Sequence, residues 1–312
     1  MKLGVDSVER TGDGVLVATL RHPRRPALPG FTAGAHVDVH VPDGRVRHYS
    51  LCGDPHDRST YRIAVKLEES GRGGSRWLHE TVRAGGVLTV SAPRNHFELE
   101  PGPAACLLLG AGIGITPILS MALHLARTGT PFWVHQFARS REAAPLRREI
   151  AEAAGPERTR LHLDDEPATL ADLAALLAAR ADGTHLYCCG PAGFMDAVRA
   201  AAEAAGWTDD TVHFEAFQPL FDEGFVPEPF GIEIASSGAT LAVPARRSAL
   251  AVLAEAGIAL PSSCEIGVCG SCECGFTAGD PIHRDVVLSP RARRDRFIPC
   301  VSRASGTLRL AL

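Results

Sequence analysis

The spacing of four cysteines constrains this chain more than any other feature. Cys264, Cys269 and Cys272 read C-x4-C-x2-C in "SSCEIGVCGSC", and Cys300 follows in "RFIPC". A zinc ribbon would use two C-x2-C knuckles and a bacterial two-cluster ferredoxin would use C-x2-C-x2-C-x3-C-P, so neither fits. C-x4-C-x2-C with a distant fourth cysteine is the plant-type [2Fe-2S] spacing. Gly267 and Gly270 let the loop curl and aim backbone N–H groups at sulfur, where negative charge needs stabilising. Cys274 sits close enough to compete as a ligand, but is expected to be a small buried side chain opening the strand "ECGF". The plainer alternatives are a structural zinc site or buried thiols without metal.

Composition supports the metal reading. Nine cysteines is an odd number, and the start "MKLGVDSVER" lacks the apolar stretch of a secretory signal. The chain is therefore expected to stay in the reducing cytoplasm without a disulfide framework. No apolar run approaches the roughly 20 residues needed to span a bilayer. A net charge of -4 gives no basic footprint for nucleic acid. At 312 residues there is room for two or three domains.

Upstream, "CLLLGAGIGITPILSM" (106–121) reads as an apolar strand, a glycine turn and a helix start. Thr116 is expected to cap the helix and Pro117 to occupy its first turn, presenting N–H groups to a pyrophosphate. Gly110, Gly112 and Gly114 give G-x-G-x-G, with Ile115 where the usual dinucleotide fingerprint has its third glycine. A tight turn in any α/β domain would look the same. "FWVHQFARS" and "HLYCCGPAGFMDAV" add two more strands, with helices expected around 141–154 and 169–181. Such alternation implies a parallel sheet whose ligands bind at the C-terminal strand ends.

The first hundred residues differ. "GVLVATLRH", "AHVDVHV", "YRIAVKL" and "GVLTVSAP" alternate between Pro/Gly/Asp turns, as in an antiparallel barrel or sandwich. In "RVRHYSLCG" Arg47 and Tyr49 share one strand face, a guanidinium and a phenol suited to a ligand with a phosphate and a flat ring. In "GRGGSRWLHE" Ser75 is expected to cap a helix and meet a phosphate. An ordinary exposed strand face and loop is the alternative.

In this order, "RHYSL", "GRGGS", "GAGIGITPILSM", "YCCGPAGFM" and "CEIGVCGSC…PCVSR" resemble the phthalate dioxygenase reductase family and its relatives, the vanillate demethylase reductases, over essentially the whole chain. The resemblance implies three domains: an antiparallel β-barrel binding FMN (1–102), a parallel-sheet α/β NAD domain of ferredoxin reductase type (103–225), and an α+β, β-grasp plant-type ferredoxin (226–312). It implies that Arg47 holds the flavin phosphate, Tyr49 lies against the ring and Ser50 reaches N5. Ala64, Val65 and Lys66 would border the ring, and Gly73, Gly74 and Ser75 would form the phosphate loop. Gly112, Gly114, Thr116, Cys189, Gly190 and Pro191 match the nicotinamide-cofactor positions, and Phe217 an aromatic near the flavin. The cluster ligands would be Cys264, Cys269, Cys272 and Cys300.

NADH surrenders two electrons together and a [2Fe-2S] cluster takes one, so the flavin belongs between them. No general acid or base is needed, and no histidine is expected to be catalytic. Arg139, Ser140 and Arg141 could clasp a 2'-phosphate, but the family precedent is NADH. The expected acceptor is a terminal oxygenase of Rieske non-haem iron type, with a cytochrome P450 as the alternative, and the chain is expected to be a monomer. A redox sensor would leave the flavin and nicotinamide motifs without purpose. Residues 218–230 read as a semi-extended tether, and "RARRDR" (291–296) as a solvated arginine face.

Overall fold

The computed structural model describes residues 1–42, 44–69, 71, 73–217, 224–288 and 291–312. They divide into two compact units, 1–215 and 216–312.

The first unit holds two sheets. The first sheet contains β1 (Lys2–Thr11), β2 (Val15–Arg21), β3 (His36–His40), β4 (Val46–Ser50), β5 (Tyr61–Lys66) and β6 (Val87–Val90). Their order is β4-β3-β6-β1-β2-β5, antiparallel throughout. Alternation sends Leu16, Ala18, Leu20, Val37, Val39 and Tyr61 into one core. The edge strands β4 and β5 meet at the bridge Leu51–Ile63 and the bond from Cys52 N to Arg62 O (2.9 Å), closing the sheet into a barrel. Sequence reading missed β1, whose register shifts between Val5 and Ser7 and breaks the period of two.

The second sheet contains β7 (Ala105–Ala111), β8 (Phe132–Ala138), β9 (Thr159–Leu163), β10 (Thr184–Cys189) and β11 (Val212–Glu215). Its order is β11-β10-β7-β8-β9 and all pairs are parallel. Strand β7 is central and buried along its whole length, which is why "ACLLLGA" shows no alternation. The chain moves outward from β7 to β9 and then returns to β10, so the switch point lies between β7 and β10. Four helices connect these strands: α2 (Ile115–Thr128), α3 (Arg147–Ala154), α4 (Leu173–Ala178) and α5 (Ala192–Ala204). The helix expected from residue 141 starts only at Arg147, after Leu146 adopts a left-handed φ of 55°. The one expected over 169–181 is shorter because Asp172 caps it, accepting from Ala175 N at 3.1 Å.

Among the described residues, the second unit is a mixed sheet with one α-helix against it. Its elements are β12 (Phe230–Ile234), β13 (Thr240–Val243), α5's successor α6 (Ala249–Glu255), β14 (Cys274–Ile282), β15 (Arg296–Phe297) and β16 (Arg303–Leu310). The order is β13-β12-β16-β14-β15, with β12–β16 parallel and the other pairs antiparallel. Phe230, Ile232, Leu253, Phe297 and Leu308 form its core.

The tether expected over 218–230 is corrected in its second half, while 218–223 lie outside the described residues. The Arg284 guanidinium lies 3.7 Å from the Phe225 ring centroid, and Glu228 O accepts from Arg303 Nη2 at 2.6 Å. These contacts dock 225–228 onto the second unit's own body. Among the described residues no helix is long and apolar enough to cross a membrane.

Candidate functional site

Three of the four spaced cysteines lie on the loop between α6 and β14, and Cys300 lies on the turn between β15 and β16. The fold brings their sulfurs together. The Cys264 and Cys269 sulfurs lie within 4.8 Å of one another, and the Cys272 and Cys300 thiols are near enough to shift each other's titration. Backbone donors converge as the glycine spacing requires: Ile266 N lies 3.4 Å from Cys264 Sγ, Ser271 N lies 3.5 Å from Cys269 Sγ, and the Gly267 amide faces Cys300. The Cys269 thiol and the amides of Ile266, Val268 and Cys269 hold Cys264 down at about 6, whereas the Cys272 thiol and burial push Cys300 up. Gly267 has φ 79°, and a Cβ there would meet Val301 Cγ2 at 2.6 Å. The donor set and the glycine-lined cradle fit an iron–sulfur cluster.

Cys274 behaves otherwise. It opens β14, packs with Phe230 and Phe297, and its Sγ lies 3.8 Å from Phe297 O. Burial pushes its thiol up to about 12, as for a thiol packed in an apolar core.

In the first unit, Arg47 and Tyr49 lie opposite Val39 and Val37 across β3–β4, while His48 and Ser50 take the other face. His48 Nδ1 sits 2.6 Å from Asp38 Oδ1. Past the Leu51–Ile63 bridge, no ladder joins Arg47–Ser50 to Ala64–Lys66 among the described residues. The edges of β4 and β5 therefore diverge beyond that bridge without a strand ladder between them. At one end α1 (Gly74–Thr81) begins against two guanidiniums. A Cβ on Gly74 would lie 2.6 Å from Arg47 Nε, and one on Gly73 would lie 2.9 Å from Arg45 Nη1. Bare backbone facing two cations fits a phosphate, and an open edge fits a flat ring. The capping expectation for Ser75 is corrected: Gly73 is the cap residue, and Ser75 Oγ accepts from Glu68 N at 3.0 Å.

The nucleotide turn follows β7 directly. Here too a cap is corrected, because Gly114 holds the cap position and Thr116 Oγ1 donates to Ile113 O at 2.9 Å. The glycines serve close approach: a Cβ on Gly114 would lie 2.3 Å from Cys189 O, and one on Gly190 would lie 2.8 Å from Ala111 Cβ. The turns after β7 and β10 thus abut at the switch point.

Where barrel and parallel sheet meet, Ser50, Cys189 and Glu215 converge. Glu215 ends β11, and burial pushes its carboxyl up to about 8, with the Ser50 hydroxyl opposing. Neither Ser50 Oγ nor Glu215 Oε2 makes a hydrogen bond of good geometry.

Comparisons with known proteins agree with this geometry. Residues 232–305 match the family described as a 2Fe-2S iron-sulfur cluster binding domain. The chain is 41% identical to phenoxybenzoate dioxygenase subunit beta of Ectopseudomonas oleovorans, covering 100% of this chain and 97% of that one. The solved phthalate dioxygenase reductase, titled a modular structure for electron transfer from pyridine nucleotides to [2Fe-2S], is 36% identical with a TM-score of 0.72, covering 100% and 98%. The chain belongs to the phthalate dioxygenase reductase family. It is an oxidoreductase with flavin, nicotinamide and [2Fe-2S] modules. It also matches an intact type IV self-sufficient cytochrome P450 monooxygenase at 38% identity and a TM-score of 0.89, spanning 41% of that longer chain.

Several residues that support these family sites escaped sequence reading. Glu215 sits in "FEAF" with no local signal of burial. Asp285 is fully buried and holds the loop behind Gly267: its Oδ1 accepts from Val287 N (3.2 Å) and Leu288 N (2.8 Å), and Val286 N donates to Gly267 O (3.1 Å). Arg303 is buried, donates to the carbonyls of Arg247, Pro244 and Glu228, and lies over Phe230. An arginine one residue past "PCVS" announces none of this.

Proposed function

We propose that this chain oxidises NADH and delivers single electrons through FMN and a [2Fe-2S] cluster to a terminal oxygenase, with Cys264, Cys269, Cys272 and Cys300 as cluster ligands. The meeting of those four sulfurs, under converging amides, carries the reading. When bound, FMN supplies the conversion between a hydride's electron pair and the cluster's single-electron step. Arg47 with Gly73, Gly74 and Ser75 holds the phosphate, Tyr49 lies against the ring, and the edge Ala64, Val65 and Lys66 borders it. Ser50 faces N5. Gly112, Gly114 and Thr116 seat the pyrophosphate, and Cys189, Gly190 and Pro191 place the nicotinamide. Phe217, 38% exposed, is assigned to the flavin's neighbourhood by family likeness alone. The work of these residues is orientation and exclusion of water, so no residue is assigned a proton transfer.

The domain boundaries proposed are 102 and 225, the compartment is the cytoplasm, and the chain acts as a monomer. A Rieske non-haem iron oxygenase is the acceptor favoured by the phenoxybenzoate dioxygenase likeness. The P450 fusion supports the second reading, a haem monooxygenase partner. NADH consumption coupled to product formation with each candidate oxygenase separates the two. Acid-released flavin should be FMN, and FAD would contradict the phosphate assignment.

A further inference from the structure

Resting on the reading of NADH as donor, we propose that the ion pair between Arg141 and Glu166 makes this chain reject a 2'-phosphorylated cofactor. With the pyrophosphate after β7 and the nicotinamide after β10, the adenosine half of a dinucleotide extends across the C-terminal ends of β8 and β9. Two short segments lie there. Arg139, Ser140 and Arg141 follow β8, and Asp164, Asp165 and Glu166 follow β9. Main-chain bonds tie them together, from Asp164 N to Ala138 O (3.1 Å) and from Asp165 N to Arg139 O (3.2 Å).

Arg141 is the cation that sequence reading offered to a 2'-phosphate. In the structure its Nη2 donates to both carboxylate oxygens of Glu166, at 3.1 and 3.0 Å. Glu166 sits on a pinned turn. Its carbonyl accepts from Thr169 N and Thr169 Oγ1, each at 2.8 Å, and that hydroxyl accepts from Leu163 N at 2.8 Å. Beside the turn Phe137 stacks with His162 at 4.6 Å and meets Phe194 at 4.7 Å, tilted by 50°, an aromatic cluster against which a base can pack.

Charge decides the preference. Three carboxylates, those of Asp164, Asp165 and Glu166, lie on the segment tied to Arg139 and Arg141, and Glu166 captures Arg141. Free ribose hydroxyls donate to carboxylates. A 2'-phosphate carrying about -1.5 to -2 charge would meet those carboxylates with its best cation engaged. The pair is half exposed, so it contributes little to stability and its removal leaves a folded protein.

The test is calorimetric titration of the cofactor-loaded protein with NAD+ and with NADP+, comparing the ratio of the two dissociation constants among variants. Glu166→Gln should shift that ratio about tenfold toward NADP+ by freeing Arg141 and removing a repelling charge. Adding Arg141→Ala to Glu166→Gln should return about threefold or more of the shift, which a purely structural pair would not do. A ratio unchanged within about twofold in Glu166→Gln would overturn the proposal, as would an undiminished shift in the double variant. Wild-type protein that binds neither dinucleotide would instead overturn the donor reading on which the proposal rests.

Discussion

The second unit gathers its sulfurs from one loop and one nearby turn, whereas the first unit gathers Ser50, Cys189 and Glu215 from β4, β10 and β11. Both regions prepare a place for a redox group. In the cluster loop the specification is local: cysteine spacing sets the ligand geometry, and left-handed Gly267 and Gly270 turn the amides toward sulfur. At the proposed flavin face the specification is tertiary, because a serine, a cysteine and a carboxyl come together only where the barrel meets the parallel sheet. The difference teaches that a site's legibility in sequence follows the sequence separation of its parts.

The largest expected effect falls on the local site. Cys300→Ser should lose most of the iron and abolish NADH-driven reduction of a one-electron protein acceptor, while NADH still bleaches the flavin. Equal loss of both activities would break the separation between the two regions. Gly114→Ala tests the tertiary site. Its Cβ would enter the space of Cys189 O at 2.3 Å, and neither backbone can swing aside as a side chain can. A cost of about 2 to 3 kcal/mol in urea unfolding is expected, with slowed flavin reduction and unchanged iron content.

Glu215 gives a pH signature to the comparison. Its carboxyl is raised to about 8 when folded, and has its ordinary value when unfolded. Between roughly pH 4.5 and 8 the folded state therefore holds a proton that the unfolded state has released, so stability falls as pH rises, by up to about 1.4 kcal/mol per pH unit. Glu215→Gln should flatten that slope in unfolding measurements across the window. An identical slope in the variant would mean that the carboxyl is not desolvated. The smallest effect belongs to Cys274→Ala, which should keep full iron and cost about 1 kcal/mol from the core of the second unit. Loss of iron would make Cys274 a ligand after all.

Legibility varied for physical reasons. The four cysteines, the G-x-G-x-G turn and the alternating strands β2, β3, β5 and β6 were readable because each signal lies within a few residues. Strand β1 was not, since the bulge between Val5 and Ser7 interrupts its period. Thr116 and Ser75 were read as caps on residue preference alone, and each lies one residue inside its helix beyond a residue already in place, with its hydroxyl bonded to main chain elsewhere. Arg303 and Asp285 gave no signal because what defines them is burial against carbonyls and amides distant in sequence. The docked half of the linker was misread because Pro and acidic composition says nothing of Arg284 closing over Phe225.

On this reading one chain carries electrons from a nicotinamide, through a flavin, to a cluster held by Cys264, Cys269, Cys272 and Cys300. An anaerobic titration of the purified protein with NADH, followed by visible absorption and electron paramagnetic resonance with flavin and iron assayed, tests it most directly. The account predicts bleaching of the flavin band, appearance of a reduced [2Fe-2S] resonance, and two irons for each bound FMN. Bound zinc, or a flavin that NADH bleaches while no cluster signal develops, would contradict it.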